Sequence, residues 1–428
     1  MKIMEFYLLS AKISGVKNIQ KCLNLEFFKK TIDRKFDPEQ YRIKGIFGEN
    51  GFGKTAIITA FSIFQSLILK SNYLQDTSTQ EYLSETINKI TKEFLMECEF
   101  AHVGEDRIDV YSYSICLKFD GKSYRIKNES LAVRNGNNPK SKFVTIYSVK
   151  DGSIDGFIVG TNYEKWSRAS VNLLPKQSFP SIFLSDGTMT DGSIAANSVY
   201  HLLDFVSRMF ISLRNEDQHT LYFLTNSTPT KDRSIEDIVN TYSKINEKKV
   251  LKELFPSYER RVKGMERFLR LFKPDLRSID IEKRLDGDYY SCQLNMNYGD
   301  YVINREFESE GIKKLISLYD ALRVAANGGI VFIDEIDSNI NCIYLDKLIE
   351  YMMLFGKGQL CFTSHNIDIM QVLKDSKYSI DFLNSNQEIV RWINNGNKSP
   401  VTTYRNGLIE GMPYNIFATD FVNVFGEE

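Results

Sequence analysis

Three short stretches of this chain carry residue types that could handle a phosphate. The first is GENGFGKT, Gly48 to Thr55, which fits the pattern G-x-x-x-x-G-K-[ST]. Glycines at 48, 51 and 53 let backbone N–H groups converge on an anion with no Cβ in the way. Lys54 would reach the β- and γ-phosphates of a nucleoside triphosphate, and the Thr55 hydroxyl would ligate Mg2+. The second stretch is GGIVFIDEID, residues 328–337. There Asp334 would hold Mg2+ through a water, and Glu335 would orient or deprotonate the attacking water. The third is GQLCFTSHN, residues 358–366, where His365 could hydrogen-bond a γ-phosphate and report its presence.

Each stretch needs an element to hold it. YRIKGIF before the glycine loop reads as a strand, and Ile57, Phe61, Phe64 and Ile68 after it recur at helical spacing. Strand, glycine loop, helix is the context the pattern requires, and a helix N-terminus adds partial positive charge there. Ile330 to Ile333 is an apolar run of the kind buried on both faces of a parallel sheet, ending in the acid pair. FESEGIKKLISLYDALRVA, residues 307–325, reads as a helix opened by Ser309-Glu310-Gly311, a second anion-seeking helix end. Close to 280 residues separate Lys54 from Asp334, so something large is inserted between them.

Bulk properties exclude several classes. The net charge of −1 on 428 residues gives no global pull toward nucleic acid or a membrane surface. Six scattered cysteines with no C-x-x-C pair fit reduced thiols in a cytosol, not a disulfide scaffold or zinc site. No signal peptide is evident and no apolar run is long enough to span a bilayer.

In the middle of the chain, FLMECEF, DVYSYSICLKF and KSYRIKNESLAV alternate as strands, with FDGKS as a hairpin turn. Residues 134–200 read as loop-rich, with RNGNNPKSK and SDGTMTDGS as breaks. From about 200 to 275 helical patterns dominate, as in HLLDFVSRMFISLR and YERRVKGMERFLRLF, with NSTPTKDRS as an internal loop. Residues 287–305 return to strand. Between Lys244 and Arg277 eleven basic residues face five acidic ones, which makes this stretch a nucleic-acid or partner surface, or the solvated side of a helical lobe. No heptad run supports a long coiled coil.

Together these segments resemble the ABC-type ATPase heads of the SMC, RecF and OLD group, and above all stand-alone bacterial AAA ATPases of the abortive-infection and phage-defence class. The residues that carry the likeness are Glu308-Ser309-Glu310-Gly311, Ile333-Asp334-Glu335-Ile336-Asp337, Leu345-Asp346-Lys347-Leu348-Ile349 and Phe362-Thr363-Ser364-His365-Asn366. ISGVKNI at 13–19 is similar to that group's first-strand element, with Lys17 where an arginine often approaches the nucleotide, and YRNGLIEGMP at 404–413 also fits. Glu310 replaces the first glycine of the transporter-type signature, and Asn341 and Cys342 stand where relatives often carry histidine and proline. Gln177 is the one candidate for a glutamine loop.

The resemblance implies an α/β P-loop NTPase: an ABC-type head with a β-lobe and an inserted helical lobe. The divisions expected are 1–133 for the N-terminal ATPase half, 134–286 for the inserted lobe and 287–428 for the C-terminal half. It implies ATP and Mg2+ as cofactors. Lys17, Gly48, Glu49, Asn50, Gly51, Phe52, Gly53, Lys54 and Thr55 would bind nucleotide, Thr55 and Asp334 metal, and Glu335 and His365 would be catalytic. Ser309 and Gly311 would contact the γ-phosphate held by an opposite subunit, so two head-to-tail copies would sandwich two ATP molecules. Asp337 and Ser338 would form the loop that crosses between the two sites. About 60 residues follow His365, too few for the nuclease domain of OLD proteins. The expected function is therefore a cytoplasmic ATPase that senses, scaffolds or regulates a separate effector, such as a nuclease, in anti-phage defence. The alternatives are a DNA-repair or DNA-associated ATPase related to RecF, with nucleic acid as a further partner, and a nucleotide-binding scaffold with negligible turnover.

Overall fold

In a computed structural model, the structure describes residues 6–33, 35–157, 163–185, 192–213, 249–394, 396 and 398–412. The chain begins with β1 (Phe6–Ser14), β2 (Leu23–Glu26), β3 (Ile43–Phe47), α1 (Lys54–Leu69) and α2 (Thr77–Thr86). Five strands follow: β4 (Glu93–Val103), β5 (Ile108–Phe119), β6 (Tyr124–Asn135), β7 (Val144–Lys150) and β8 (Ser153–Phe157). Next come α3 (Tyr163–Ser170), α4 (Phe179–Ser185), α5 (Ile194–Ser207), β9 (Met209–Ser212), β10 (Lys249–Leu251) and α6 (Phe255–Arg270). Then β11 (Ser278–Asp286), β12 (Tyr289–Asn297), β13 (Val302–Asn304), α7 (Glu310–Ala326), β14 (Ile330–Ile333) and α8 (Cys342–Phe355). The chain closes with β15 (Gln359–Thr363), α9 (Ile369–Leu373), β16 (Ile380–Leu383), β17 (Ile389–Arg391) and α10 (Pro400–Arg405).

These strands make three sheets. The central one has the order β17-β16-β3-β15-β14-β9 and is parallel except for its edge strand β17. Its strands β3, β14, β15 and β16 are buried at every position, which explains the unbroken apolar run of β14 and the mostly apolar make-up of the other three. The second sheet is antiparallel, in the order β2-β1-β4-β5-β6-β7-β8. Its strands alternate buried and half-exposed residues, as the period-2 pattern requires. A small third sheet, β10-β12-β11 with β13 on β12, packs with α6 around a core of its own.

Helix α1 lies between the two large sheets and is apolar all round for that reason. Phe61 stacks on Phe332 of β14 with ring centres 3.8 Å apart, and Phe64 meets Tyr113 of β5 edge-on at 5.7 Å. The opposite face of the parallel sheet carries Val331, Ile333, Leu360 and Phe362 into a second core with α7, α8 and α9. Gln359 ties the sheets together: its side-chain oxygen accepts the Leu8 N–H at 2.7 Å, and its amide nitrogen donates to the Leu8 carbonyl at 2.9 Å. Within the central sheet, Lys44 of β3 and Asp381 of β16 form a buried ion pair at 2.6 Å.

Several sequence expectations meet a different structure. MFIS, read as helix, is strand β9, paired in parallel with Ile330–Ile333. A short apolar run does not choose between helix and strand by itself, and here the open edge of β14 takes it. The described residues of 134–200 are not mainly loop: they hold β7, β8, α3, α4 and the start of α5, while most of SDGTMTDGS lies outside the described residues. The boundary expected at 133 falls inside β6, and the one at 286 falls at the turn between β11 and β12. NSTPTKDRS lies outside the described residues. The helix over 307–325 and the strands of the β-lobe form where the pattern placed them. Among the described residues no helix is long and apolar enough to cross a membrane.

The antiparallel sheet buries a carboxyl, Glu129, that has no cation beside it among the described residues. Glu129 accepts hydrogen bonds from the Tyr113 hydroxyl at 3.1 Å, the Tyr147 hydroxyl at 2.7 Å and the Phe179 N–H at 3.0 Å. Burial outweighs those bonds and pushes its pKa up from 4.5 to about 7. An acid whose folded pKa is raised stabilises the fold fully below pH 4.5, and that contribution is lost as pH rises through about 7. The loss should amount to about 3 kcal/mol. Urea melts from pH 4.5 to 8 should show this decline in the wild-type chain, and Glu129→Gln should flatten it.

Candidate phosphate-binding site

The carboxyl ends of β3, β14 and β15 lie side by side, and the loops that leave them build the site. The glycine loop connects β3 to α1, with Gly53 as the residue before the helix at φ 112°. A Cβ there would come within 3.0 Å of Asn18 and Ile19, so the position needs glycine for both reasons. At Gly48 a Cβ would meet the Leu383 carbonyl at 2.5 Å. At Gly51, φ 83°, it would meet nothing within 4 Å: this side of the loop is open. The Asn18 amide donates to the Gly51 carbonyl at 2.6 Å and steadies the loop from the β1–β2 turn.

Lys54 is buried, and its ammonium donates to the loop carbonyls of Gly48 at 2.6 Å and Glu49 at 3.0 Å. Burial pulls its pKa below the usual lysine value, while Asp334, Glu335, Asp337 and Glu49 push it back up. The lysine of the first stretch therefore sits in the field of the second stretch's acids, close to 280 residues away in sequence. Four carboxylates acting on one ammonium leave an excess of negative charge, which suits a divalent cation beside the Thr55 hydroxyl and Asp334.

One hydroxyl positions both acids of the pair. Thr363, at the end of β15 and fully buried, donates from Oγ1 to Asp334 Oδ1 at 2.7 Å and accepts the Glu335 N–H at 2.8 Å. Glu335 has φ 46°, a left-handed conformation that is uncommon outside glycine, so its backbone is held against its preference. The next carboxylate, Asp337, accepts from the backbone N–H groups of His365 at 3.2 Å and Asn366 at 3.0 Å. His365 Nε2 stands 4.0 Å from Glu335 Oε1. The acid loop and the histidine loop thus form one hydrogen-bonded unit, which a further bond from the Ser364 N–H to the Ile46 carbonyl fixes to β3.

The remaining sequence-selected residues divide. Glu49, Asn50 and Phe52 lie in the glycine loop, with Asn50 exposed and Phe52 partly buried against both large cores. Lys17 is exposed, at φ 50°, in the turn whose Asn18 holds the loop. Ser309 caps α7, accepting the Ile312 N–H at 3.4 Å, and is exposed. Gly311 faces the acid loop, where a Cβ would stand 3.4 Å from the Asn339 carbonyl. Among the described residues no hydrogen bond or ion pair joins Ser309 or Gly311 to the glycine loop of the same chain. Gln177 is buried and bonds Ser181 at 3.1 Å. Sequence reading missed the positioning by Thr363, the anchoring by Asp337 and Asn18, and Lys314, whose ammonium donates to the Asp334 carbonyl at 3.4 Å. Of these, only Thr363 carried a signal, as the polar residue that ends an apolar strand directly before Ser364 and His365.

A P-loop between strand and helix at the carboxyl edge of a parallel sheet, with the acid strand one strand away, is an α/β P-loop NTPase fold. Residues 193–370 match the family described as "AAA domain, putative AbiEii toxin, Type IV TA system". The resemblance to ABC-type AAA ATPases linked to abortive infection is borne out. The matched segment holds Ser309, the acid pair and His365, while the P-loop precedes it. Two solved structures are similar over 90% of this chain. An SMC head bound to the C-terminal winged-helix domain of ScpA is 13% identical, is covered over 98% of its length and has a TM-score of 0.43. The SMC head domain from Thermotoga maritima is 14% identical, covered over 99%, with a TM-score of 0.34. No curated protein matches the chain.

Thr363→Val should leave Asp334 Oδ1 and the Glu335 N–H without their partner in a buried place. The expected cost is about 2 kcal/mol of unfolding free energy. Urea denaturation would measure it, and Thr363→Ser, which keeps the hydroxyl, should recover most of the loss.

Proposed function

We propose that the protein hydrolyses ATP and uses the ATP-bound state to close a head-to-tail dimer that governs a separate effector in anti-phage defence. The observation that carries this reading is the convergence of Lys54 with Asp334, Glu335 and Asp337 at one edge of the parallel sheet. In this reading the backbone N–H groups of residues 48–55 cradle the phosphates, and Lys54 exchanges its loop carbonyls for phosphate oxygens. Thr55 and Asp334 would hold Mg2+, which supplies charge neutralisation to the phosphates when bound. Glu335 orients and deprotonates the attacking water, and His365 donates to the γ-phosphate. Lys17 approaches the nucleotide from the neighbouring turn.

Dimerisation is supported by the exposure of Ser309 and by its lack of a bond to the glycine loop of its own chain among the described residues. A helix end of that kind is available to a phosphate on a second copy. ATP would then favour the closed pair only to the extent that Ser309 and Gly311 gain contacts in it, and hydrolysis would release them. The effector, such as a nuclease, would read the closed surface in the cytoplasm. The abortive-infection link of the matched family supports the defence setting.

Glu335→Gln should lower ATP turnover by about 100-fold or more while ATP binding persists. Lys54→Ala should lose the binding itself. If Glu335→Gln turns over ATP like the wild type, the assignment of the general base is wrong. Light scattering of Glu335→Gln should report twice the monomer mass with ATP and Mg2+, and Ser309→Arg in that background should return it to monomer with ATP still bound.

A DNA-associated ATPase is the second reading. The observation behind it is a stripe of Arg260, Lys263 and Arg267 along the exposed side of α6, with no acidic partner in the described residues. Duplex-dependent stimulation of turnover that falls with added salt would favour it over the effector reading.

A further inference from the structure

The turn after the last parallel strand holds the glycine loop from two sides. Strand β16 ends at Leu383, whose carbonyl lies so close to Gly48 that a Cβ there would stand 2.5 Å from it. Residues 384–388 then turn back into β17, and Gln387 in this turn reaches the other side of the loop by way of the β1–β2 turn. Its side-chain oxygen accepts the N–H groups of Gln20 at 2.8 Å and Lys21 at 3.2 Å, and its amide nitrogen donates to the Asn18 carbonyl at 2.7 Å. One side chain near the end of the chain thus bonds three backbone groups near its beginning. A second tie, from Arg391 to Glu26 at 2.9 Å, joins β17 to β2 further along.

Asn18 passes the constraint on. Gln387 holds its carbonyl, and its own side-chain amide donates to the Gly51 carbonyl at 2.6 Å. The Gly51–Phe52 peptide is trans and planar, so a fixed Gly51 carbonyl also fixes where the Phe52 N–H points. Among the described residues that N–H makes one bond, to the Glu49 carbonyl at 3.4 Å, beyond the usual range. A Cβ at Gly51 would meet nothing within 4 Å, so packing on that side does not hold the loop. Neither turn keeps its shape cheaply. Gln387 has φ 59° and Lys17, directly before Asn18, has φ 50°, both left-handed conformations that cost a non-glycine residue energy. The β16–β17 turn is built to hold Gln387 there. The side-chain oxygen of buried Asn384 accepts the N–H groups of Asn386 at 3.0 Å and Glu388 at 2.9 Å, and its carbonyl accepts that of Gln387 at 3.1 Å. On the other flank, the Lys17 N–H donates to the Thr86 carbonyl at 2.7 Å, and the Asn88 amide donates to the Lys17 carbonyl at 2.7 Å. Lys17 is therefore pinned from the end of α2, and Asn18 is pinned by Gln387.

We propose that Gln387 is a positioning residue for nucleotide binding: it sets Asn18, and through Asn18 the Gly51–Phe52 peptide, so that the loop is arranged for phosphates before they arrive. This rests on the reading of residues 48–55 as the ATP site and does not depend on turnover. It is tested on the full chain by calorimetric titration with ATP and Mg2+. Gln387→Ala should weaken ATP binding about fivefold, the effect of one hydrogen bond, with the thermal melt unchanged. Asn18→Ala should weaken it at least as much, and the double variant should bind no more weakly than Asn18→Ala alone, because both changes act on one peptide. Gln387→Glu keeps an acceptor for Gln20 and Lys21 but turns a carboxylate oxygen toward the Asn18 carbonyl. It should lose as much affinity as Gln387→Ala, and it carries the same test if Gln387→Ala melts early. Unchanged ATP affinity in Gln387→Ala, additive losses in the double variant, or wild-type affinity in Gln387→Glu would each overturn the role of Gln387 and leave the ATP site standing. A wild-type chain that binds no ATP, or a Lys54→Ala variant that binds it equally well, would overturn the ATP site and this role with it.

Discussion

The geometry of the candidate phosphate site depends on one buried hydroxyl at the end of one strand. Thr363 supplies a donor to Asp334 and an acceptor to the Glu335 N–H, so a single side chain fixes two residues with different proposed tasks. It can do so because β15 lies between β3 and β14 in the sheet. The strand that follows the acid strand in sequence is inserted between it and the P-loop strand. The histidine loop therefore emerges between the glycine loop and the acid loop, bonded to the acid loop and to strand β3.

That arrangement needs a rigid sheet, and the packing around α1 provides one. The helix that begins with Lys54 is clamped between β14 and β5 by Phe61 and Phe64. A displacement of the glycine loop would have to move α1 against two cores at once, and close-packed interiors resist this. Gln359 adds a second tie at the opposite end of β15, bonding both backbone groups of Leu8. The antiparallel sheet thus acts as a backing plate. Its own buried acid, Glu129, is satisfied by two tyrosine hydroxyls and a backbone N–H and takes no part in the phosphate chemistry.

Helix α7 is placed differently. Ser309 and Glu310 at its start are exposed while its body is buried in two cores, and Lys314 reaches back to the Asp334 carbonyl. A change at the exposed Ser309 end can therefore reach the acid loop through the helix itself and through Gly311 against Asn339. This gives the proposed dimer contact a direct mechanical route to the residues proposed to cleave ATP.

The sequence by itself determined the local devices. The glycine loop, the acid pair, the polar end of the third strand and the serine-capped helix were legible because each is a short contiguous pattern. Its chemistry depends on neighbouring residues in the chain. The alternating strands of the β-lobe were legible for the same reason, since a half-buried strand imposes its own period. Only the tertiary structure decided strand order, and with it the meeting of Lys54 with Asp334 and the double use of Thr363. It also decided that Met209–Ser212 is a strand, since that run pairs with residues more than a hundred positions away. Pairing across such distances leaves no periodic trace in the chain, because the partner that satisfies each backbone group is chosen by the fold and not by the neighbouring residue.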